Sequence, residues 1–177
     1  MSQNTKWAID PTHSEIGFKV KHMMFTNVSG KISQYEATIE TNGDEFGGAN
    51  ISFSGEASSI TTGNPDRDTH LQSADFFDAA QYPQVEFKAA SFSKAENETY
   101  SLAGDLTLHG ITRPVTLSVK YGGLMKDPWG NIKAAFNISG KINRKDWGLT
   151  WNSALETGGV LVSDEVRIEA EIQLIKQ

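Results

Sequence analysis

Apolar and polar residues alternate through most of the chain, and a two-residue period predicts β-strands. Ile16, Phe18, Val20 and His22 share one face, with Glu15, Lys19 and Lys21 on the other. Tyr35, Ala37 and Ile39 oppose Glu36, Thr38 and Glu40, and Ile51, Phe53, Gly55 and Ala57 oppose Ser52, Ser54, Glu56 and Ser58. The period returns at Val85, Phe87 and Ala89, at Tyr100, Leu102, Gly104, Leu106 and Leu108, and at Val115, Leu117, Val119 and Tyr121. It closes with Ile132, Ala134, Phe136, Ile138, Gly140 and Ile142, then Val166, Ile168, Ala170, Ile172 and Leu174. Trp7-Ala8-Ile9 reads as a short leader strand. Turns are expected at Asn27 and Gly30, at Asn42-Gly43-Asp44 with Gly47-Gly48, and across Lys94–Glu98. No long helical period interrupts the series. The pattern predicts one all-β domain over residues 1–177, an up-and-down antiparallel β-barrel of about eight long strands, because closure removes exposed sheet edges.

Two stretches break the alternation. Arg67 to Phe87 opens after the breaker cluster Gly63-Asn64-Pro65 and carries the adjacent aromatics Phe76 and Phe77. Asp75 is expected to cap a short helical turn through Ala79-Ala80, which Tyr82-Pro83 ends. A connection this long, roughly twenty residues against the usual ~2–5 of a hairpin, packs over something. It is either a satellite core cluster or a lid across the open end of the barrel, so short helical turns are expected at the mouth. The second stretch, Asn143 to Glu165, holds Trp147, Trp151 and Gly158-Gly159.

Composition narrows the function classes. The net charge of −6 argues against nucleic acid and against polybasic docking on membranes. The chain has no cysteine, so thiolate chemistry and disulfides are excluded. No apolar run is long enough to span a bilayer, and Met1 to Lys6 contains no apolar leader, so the chain is expected to be cytoplasmic and not membrane-embedded.

The interior could be filled or hollow. An eight-stranded barrel either packs its side chains together or holds one small ligand. Inward Gly55, Ala57, Ala89, Gly104, Ala134, Gly140 and Ala170 leave volume, while Phe18, Phe53, Phe87 and Phe136 could fill it. Met23, Met24, Phe25, Phe76, Phe77, Leu124, Met125, Trp129, Trp147 and Trp151 are surplus apolar residues outside the strands, and they suit the mouth of a greasy cavity.

Catalytic signals are weak. His13, His22, His70 and His109 lie in separate segments without metal-ligand spacing, so no metal is expected. No nucleophile elbow, phosphate loop or dinucleotide fingerprint is present. Asp75 and Asp78 fit capping and solvation better than a catalytic carboxylate pair. Arg67 and Arg144 read as loop-shaping groups, either of which could instead meet an anionic head group.

The blocks W-A-I-D-P-T-H-S, F-K-V-K-H-M, R-D-T-H-L, D-F-F-D, Y-P-Q-V-E-F, L-T-L-H-G-I-T, N-R-K-D-W-G-L and S-D-E-V-R-I, in that order from Trp7 to about Ile172, resemble the YceI-like family. The resemblance implies a lipocalin-like barrel with an apolar tunnel. It also implies binding of a long isoprenoid lipid, such as a polyprenyl phosphate or a quinone tail, with no catalysis and no cofactor. Homodimers and a periplasmic address are common among such proteins. On this reading Phe18, Val20, Phe53, Phe87, Leu106, Phe136 and Ile168 line the tunnel. Met24, Phe25, Phe76, Phe77 and Trp147 form its mouth, and His22, Arg67 and Arg144 its polar end. The competing readings are a ligand-free structural or stress-associated dimer, or a lipid-modifying enzyme using His22 or His109.

Overall fold

The computed structural model describes residues 4–23, 25–153 and 161–177. In chain order the elements are β1 (Asn4–Ile9), β2 (Glu15–His22), β3 (Thr26–Ile32), β4 (Tyr35–Asn42), β5 (Glu45–Glu56), β6 (Ile60–Thr61), α1 (Pro65–Gln72), β7 (Gln84–Lys94), β8 (Thr99–Leu108), β9 (Ile111–Lys126), β10 (Ile132–Asn143) and β11 (Val162–Lys176). Strands β1, β4, β5, β7, β8, β9, β10 and β11 pair antiparallel in that order, and β11 returns to β1, closing a barrel of eight staves.

The short strands β2, β3 and β6 continue β1, β4 and β5 towards the other end. Trp7 faces Ile39 across β1 and β4, and Ile16 faces Ile32 across β2 and β3. The leader strand is therefore part of the ring: β1 bonds to β4 on one side and β11 on the other. Its stave bends at Asp10-Pro11, where proline ends the ladder. The Asp10 carboxylate anchors the bend. It accepts from the Thr12 backbone N–H (3.1 Å) and hydroxyl (2.8 Å), His13 Nδ1 (2.8 Å) and Lys133 Nζ (3.2 Å). Hydrogen bonds from His13 and then Thr12, helped by Lys133, hold its pKa well below the usual carboxylate range against the opposing effect of burial.

Two expected turns are strand instead. Asn27 and Gly30 lie within β3, and the chain reverses between the end of β2 and the start of β3. Gly30 is there because the ring of Phe18, its cross-strand partner, lies where a Cβ would be. Gly47-Gly48 lies within β5, with Gly48 at φ +78. That places Phe46 deep inside.

The barrel is solid at one end. Phe46 packs on Trp7 and on Phe136, each with ring centroids 4.9 Å apart, and on Tyr121 at 5.6 Å. Phe92 and Tyr100 pair at 4.7 Å beside them. Trp7 Nε1 donates to Thr41 Oγ1 at 2.8 Å, so the floor also satisfies its buried indole N–H. The short connections β4–β5, β7–β8 and β9–β10 and both described chain ends lie at this floor. The other end carries β2–β3, β8–β9 and the two long connections, β6–β7 and β10–β11.

Candidate functional site

Above the aromatic floor the barrel encloses a cavity of about 660 Å³. That lies within the ~300–1,000 Å³ of sites that hold one small ligand. Its middle is apolar: Phe18, Val20, Phe53, Phe87, Leu106, Phe136 and Ile168 all line it, as the strand alternation implied. Inward glycines do not create the space. A Cβ on Gly104 would lie 2.7 Å from Phe87 Cζ, and the Leu117 side chain occupies the site of a Cβ on Gly140. Neighbouring large side chains have taken those vacancies, and the remaining volume lies along the barrel axis.

Polar groups concentrate at the open end. Lys21, His22, Thr62, Asp66, Arg67, His70 and Arg144 reach the cavity there. Helix α1 supplies three of them. It begins one residue after Asn64, whose side chain accepts from the N–H groups of Asp66 (3.0 Å) and Arg67 (3.1 Å), with Pro65 in the first turn where proline is tolerated. The breaker cluster is thus a helix start. Asp75 caps no helix; its Oδ2 meets His70 Nε2 at 2.9 Å. Asp68 ties α1 down by accepting from Thr61 Oγ1 (2.8 Å), Thr62 N–H (2.8 Å) and Thr62 Oγ1 (2.6 Å). Burial pushes the Asp68 carboxyl up, but these bonds and the adjacent Arg67 charge bring it below its ordinary value.

Three rings close over the rim. His70 meets Trp151 edge-on at 4.7 Å and Phe76 at 5.0 Å, and Phe76 lies 5.3 Å from Trp151. All three line the cavity, as does Phe77. The β6–β7 connection therefore covers the cavity rather than a separate core cluster.

The sequence profile of the YceI-like domain matches residues 7–174. The chain belongs to the YceI-like family. Its relative UPF0312 protein SAS2572 of Staphylococcus aureus (strain MSSA476) is 34% identical over 170 residues, spanning 96% of each chain. The YCEI protein of Campylobacter jejuni superposes with a TM-score of 0.76 at 31% identity, covering 89% of this chain and 90% of that one. A polyisoprenoid-binding domain from Saccharophagus degradans superposes with a TM-score of 0.68 over 97% of this chain and 98% of that one. At 13% identity that likeness is one of fold.

Two motif blocks of this YceI-like chain hold the rim rather than line it. Trp147 lies in the packed core outside the cavity wall, where its indole N–H donates to the Leu106 carbonyl at 2.9 Å. Gly148 follows at φ +74, a left-handed position open to glycine, and packs against the His109 ring. His109 in turn stands 5.1 Å from the Tyr82 ring. Trp147 is thus an anchor, not a mouth residue. Phe25 does not line the cavity either; it projects into solvent. Met24 lies outside the described residues, as does Gly158-Gly159.

The two arginines are both at the rim but differ in freedom. Arg67 is exposed and turned back onto Thr62, donating from Nε to Oγ1 (2.7 Å) and from Nη2 to the carbonyl (3.0 Å). Arg144 is only 3% exposed. It donates to three carbonyls, of Ser163 (2.9 Å), Leu149 (2.6 Å) and Val162 (3.4 Å). Burial pushes its pKa down, against the pull of Asp164, yet arginine stays cationic at neutral pH. No carboxylate lies within ion-pair distance of it among the described residues. Among the described residues no group of three His, Asp or Glu could hold a metal, and no helix is long and apolar enough to cross a membrane.

The alternation missed several wall residues. Phe92 faces inward because a register shift between Ala89 and Ser91 reverses the phase of β7. Phe46, Val28, Leu71 and Leu161 lie in segments that read as turns or loops. His70 was legible only as a lone histidine, since its partners Asp75, Phe76 and Trp151 meet it only after folding.

Proposed function

We propose that this chain binds one long apolar isoprenoid lipid, tail inward, and carries or stores it without turnover. The observation that carries this reading is the cavity: apolar along its length apart from Ser52, floored by aromatics, and with its charged groups gathered where it opens. The polyisoprenoid-binding description of the Saccharophagus degradans domain of the same fold supports it. Burying a methylene is worth about 0.8 kcal/mol, so each five-carbon unit contributes roughly 3–4 kcal/mol before ordering costs. The tail supplies affinity, and the rim sets orientation. The buried Arg144 cation, with His22 and Arg67 nearby on the rim, suits an oxygen-rich head such as a phosphate or a quinone.

The test is native purification, solvent extraction and mass spectrometry of both extract and intact complex. A stoichiometric isoprenoid lipid is the expected result. An apo mass, together with no uptake of an added polyprenyl phosphate or isoprenoid quinone, would end the carrier reading.

A further inference from the structure

We propose that the barrel docks mouth-first on a neutral lipid bilayer, inserting the exposed side chains of Met23 and Phe25. The inference rests on the lipid-carrier reading of the cavity. Met23 is 51% exposed and Phe25 90% exposed, an aromatic and a flexible thioether presented together to solvent. Their display is built into the backbone. Met23 sits at φ +55, its N–H donates to the Leu161 carbonyl (2.7 Å), and the Phe25 N–H donates to the His22 carbonyl (3.1 Å). The pair also adjoins the rim. Thr26 and Val162 are both cross-strand partners of His22, and His22, Leu161 and Val162 all line the cavity. Leu161 and Val162 of the cavity wall thus adjoin the end of β2 that leads to Met23 and Phe25.

A tail that crossed open water would expose every methylene it buries at either end of the journey. A mouth held against the bilayer removes that exposure. The charge pattern selects the kind of bilayer. Lys21, Arg67 and Arg144 reach the rim with Asp66, His22 and His70, and the chain as a whole carries a net charge of −6. Anionic lipid would be repelled, so the contact is apolar insertion into a zwitterionic interface and does not weaken with salt. The far end of the barrel supplies a matched control, because Met125 (73%) and Trp129 (83%) are also exposed, on the β9–β10 hairpin.

The experiment is flotation of the purified protein with phosphatidylcholine vesicles at low and high salt. Wild type is expected to float equally at both. Phe25→Ser, a change at a solvent-exposed position, lowers the partition coefficient about tenfold, Phe25→Trp preserves it, and Trp129→Ser leaves it unchanged. Failure of wild type to float overturns the proposal. So does flotation only on anionic phosphatidylglycerol vesicles with loss in salt, or loss through Trp129→Ser rather than Phe25→Ser. An isoprenoid lipid in the native extract of a protein that does not float would sink the docking and leave the carrier reading standing. Flotation through Phe25 by a protein that takes up no isoprenoid would do the reverse.

Discussion

The two ends of the barrel are made from the same staves and solve opposite problems. At the floor, Trp7, Phe46, Tyr121 and Phe136 pack ring against ring and the connections are short turns. At the mouth, the β6–β7 and β10–β11 connections lengthen, and the rings of His70, Phe76 and Trp151 gather at the rim. Interior volume in such a barrel is divided unevenly: density at one end holds the ring together, and the other end keeps room for a guest. Stability and binding are therefore expected to separate along the barrel axis.

Four substitutions break or sharpen that separation. Trp7→Ala removes a floor ring that does not line the cavity and is expected to cost about 3–5 kcal/mol in denaturant unfolding, the range for a buried aromatic. Lipid taken up per folded molecule stays unchanged. Asp10→Asn weakens the anchor of the first bend and costs about 1.5–3 kcal/mol at neutral pH, as expected for hydrogen bonds to a charge. Because folding lowers the pKa of Asp10, its ionised form stabilises the protein above the unfolded value of about 3.9, and that contribution fades as pH falls below it. Unfolding midpoints of wild type and variant therefore begin to converge below about pH 4 and keep converging as pH falls towards the much lower folded value; a gap that does not narrow between about pH 7 and about pH 2 would refute the assignment. Val20→Trp fills the cavity near the mouth. It is expected to weaken lipid binding about tenfold while changing stability by less than ~1.5 kcal/mol, since the added volume enters free space. Asp75→Asn loosens only the exposed clasp on His70, and a cost of roughly 0.2–1 kcal/mol is expected. It shows as faster lipid release in stopped flow, with an unfolding midpoint close to wild type.

Much of the wall was legible because strand periodicity and burial on a closed sheet are the same signal. Phe18, Val20, Phe53, Phe87, Leu106, Phe136 and Ile168 could be placed inward from alternation alone. The floor was harder to read. Phe46 sits beside glycines that signal a turn, and only the position of its stave in the ring makes that segment a strand. The rim was hardest. Asn64-Pro65 stops one local pattern and starts another, so a breaker and a helix cap look alike until α1 is seen. Phe25 and Trp147 are equally apolar and lie equally outside the alternation, yet one is exposed and the other fixed by a hydrogen bond to Leu106. That difference depends on distant backbone, which spacing does not encode.

The ring closes between its first strand and its last. Strand β1 finds its second partner only in Leu174–Lys176, so the nascent barrel has no enclosed interior until its last strand has left the ribosome. At about 5–20 residues per second, the first stave waits many seconds for the strand that seals it. The compartment is sealed only by the barrel's last strand, and a cargo can enter the closed cavity only after that strand has taken its place.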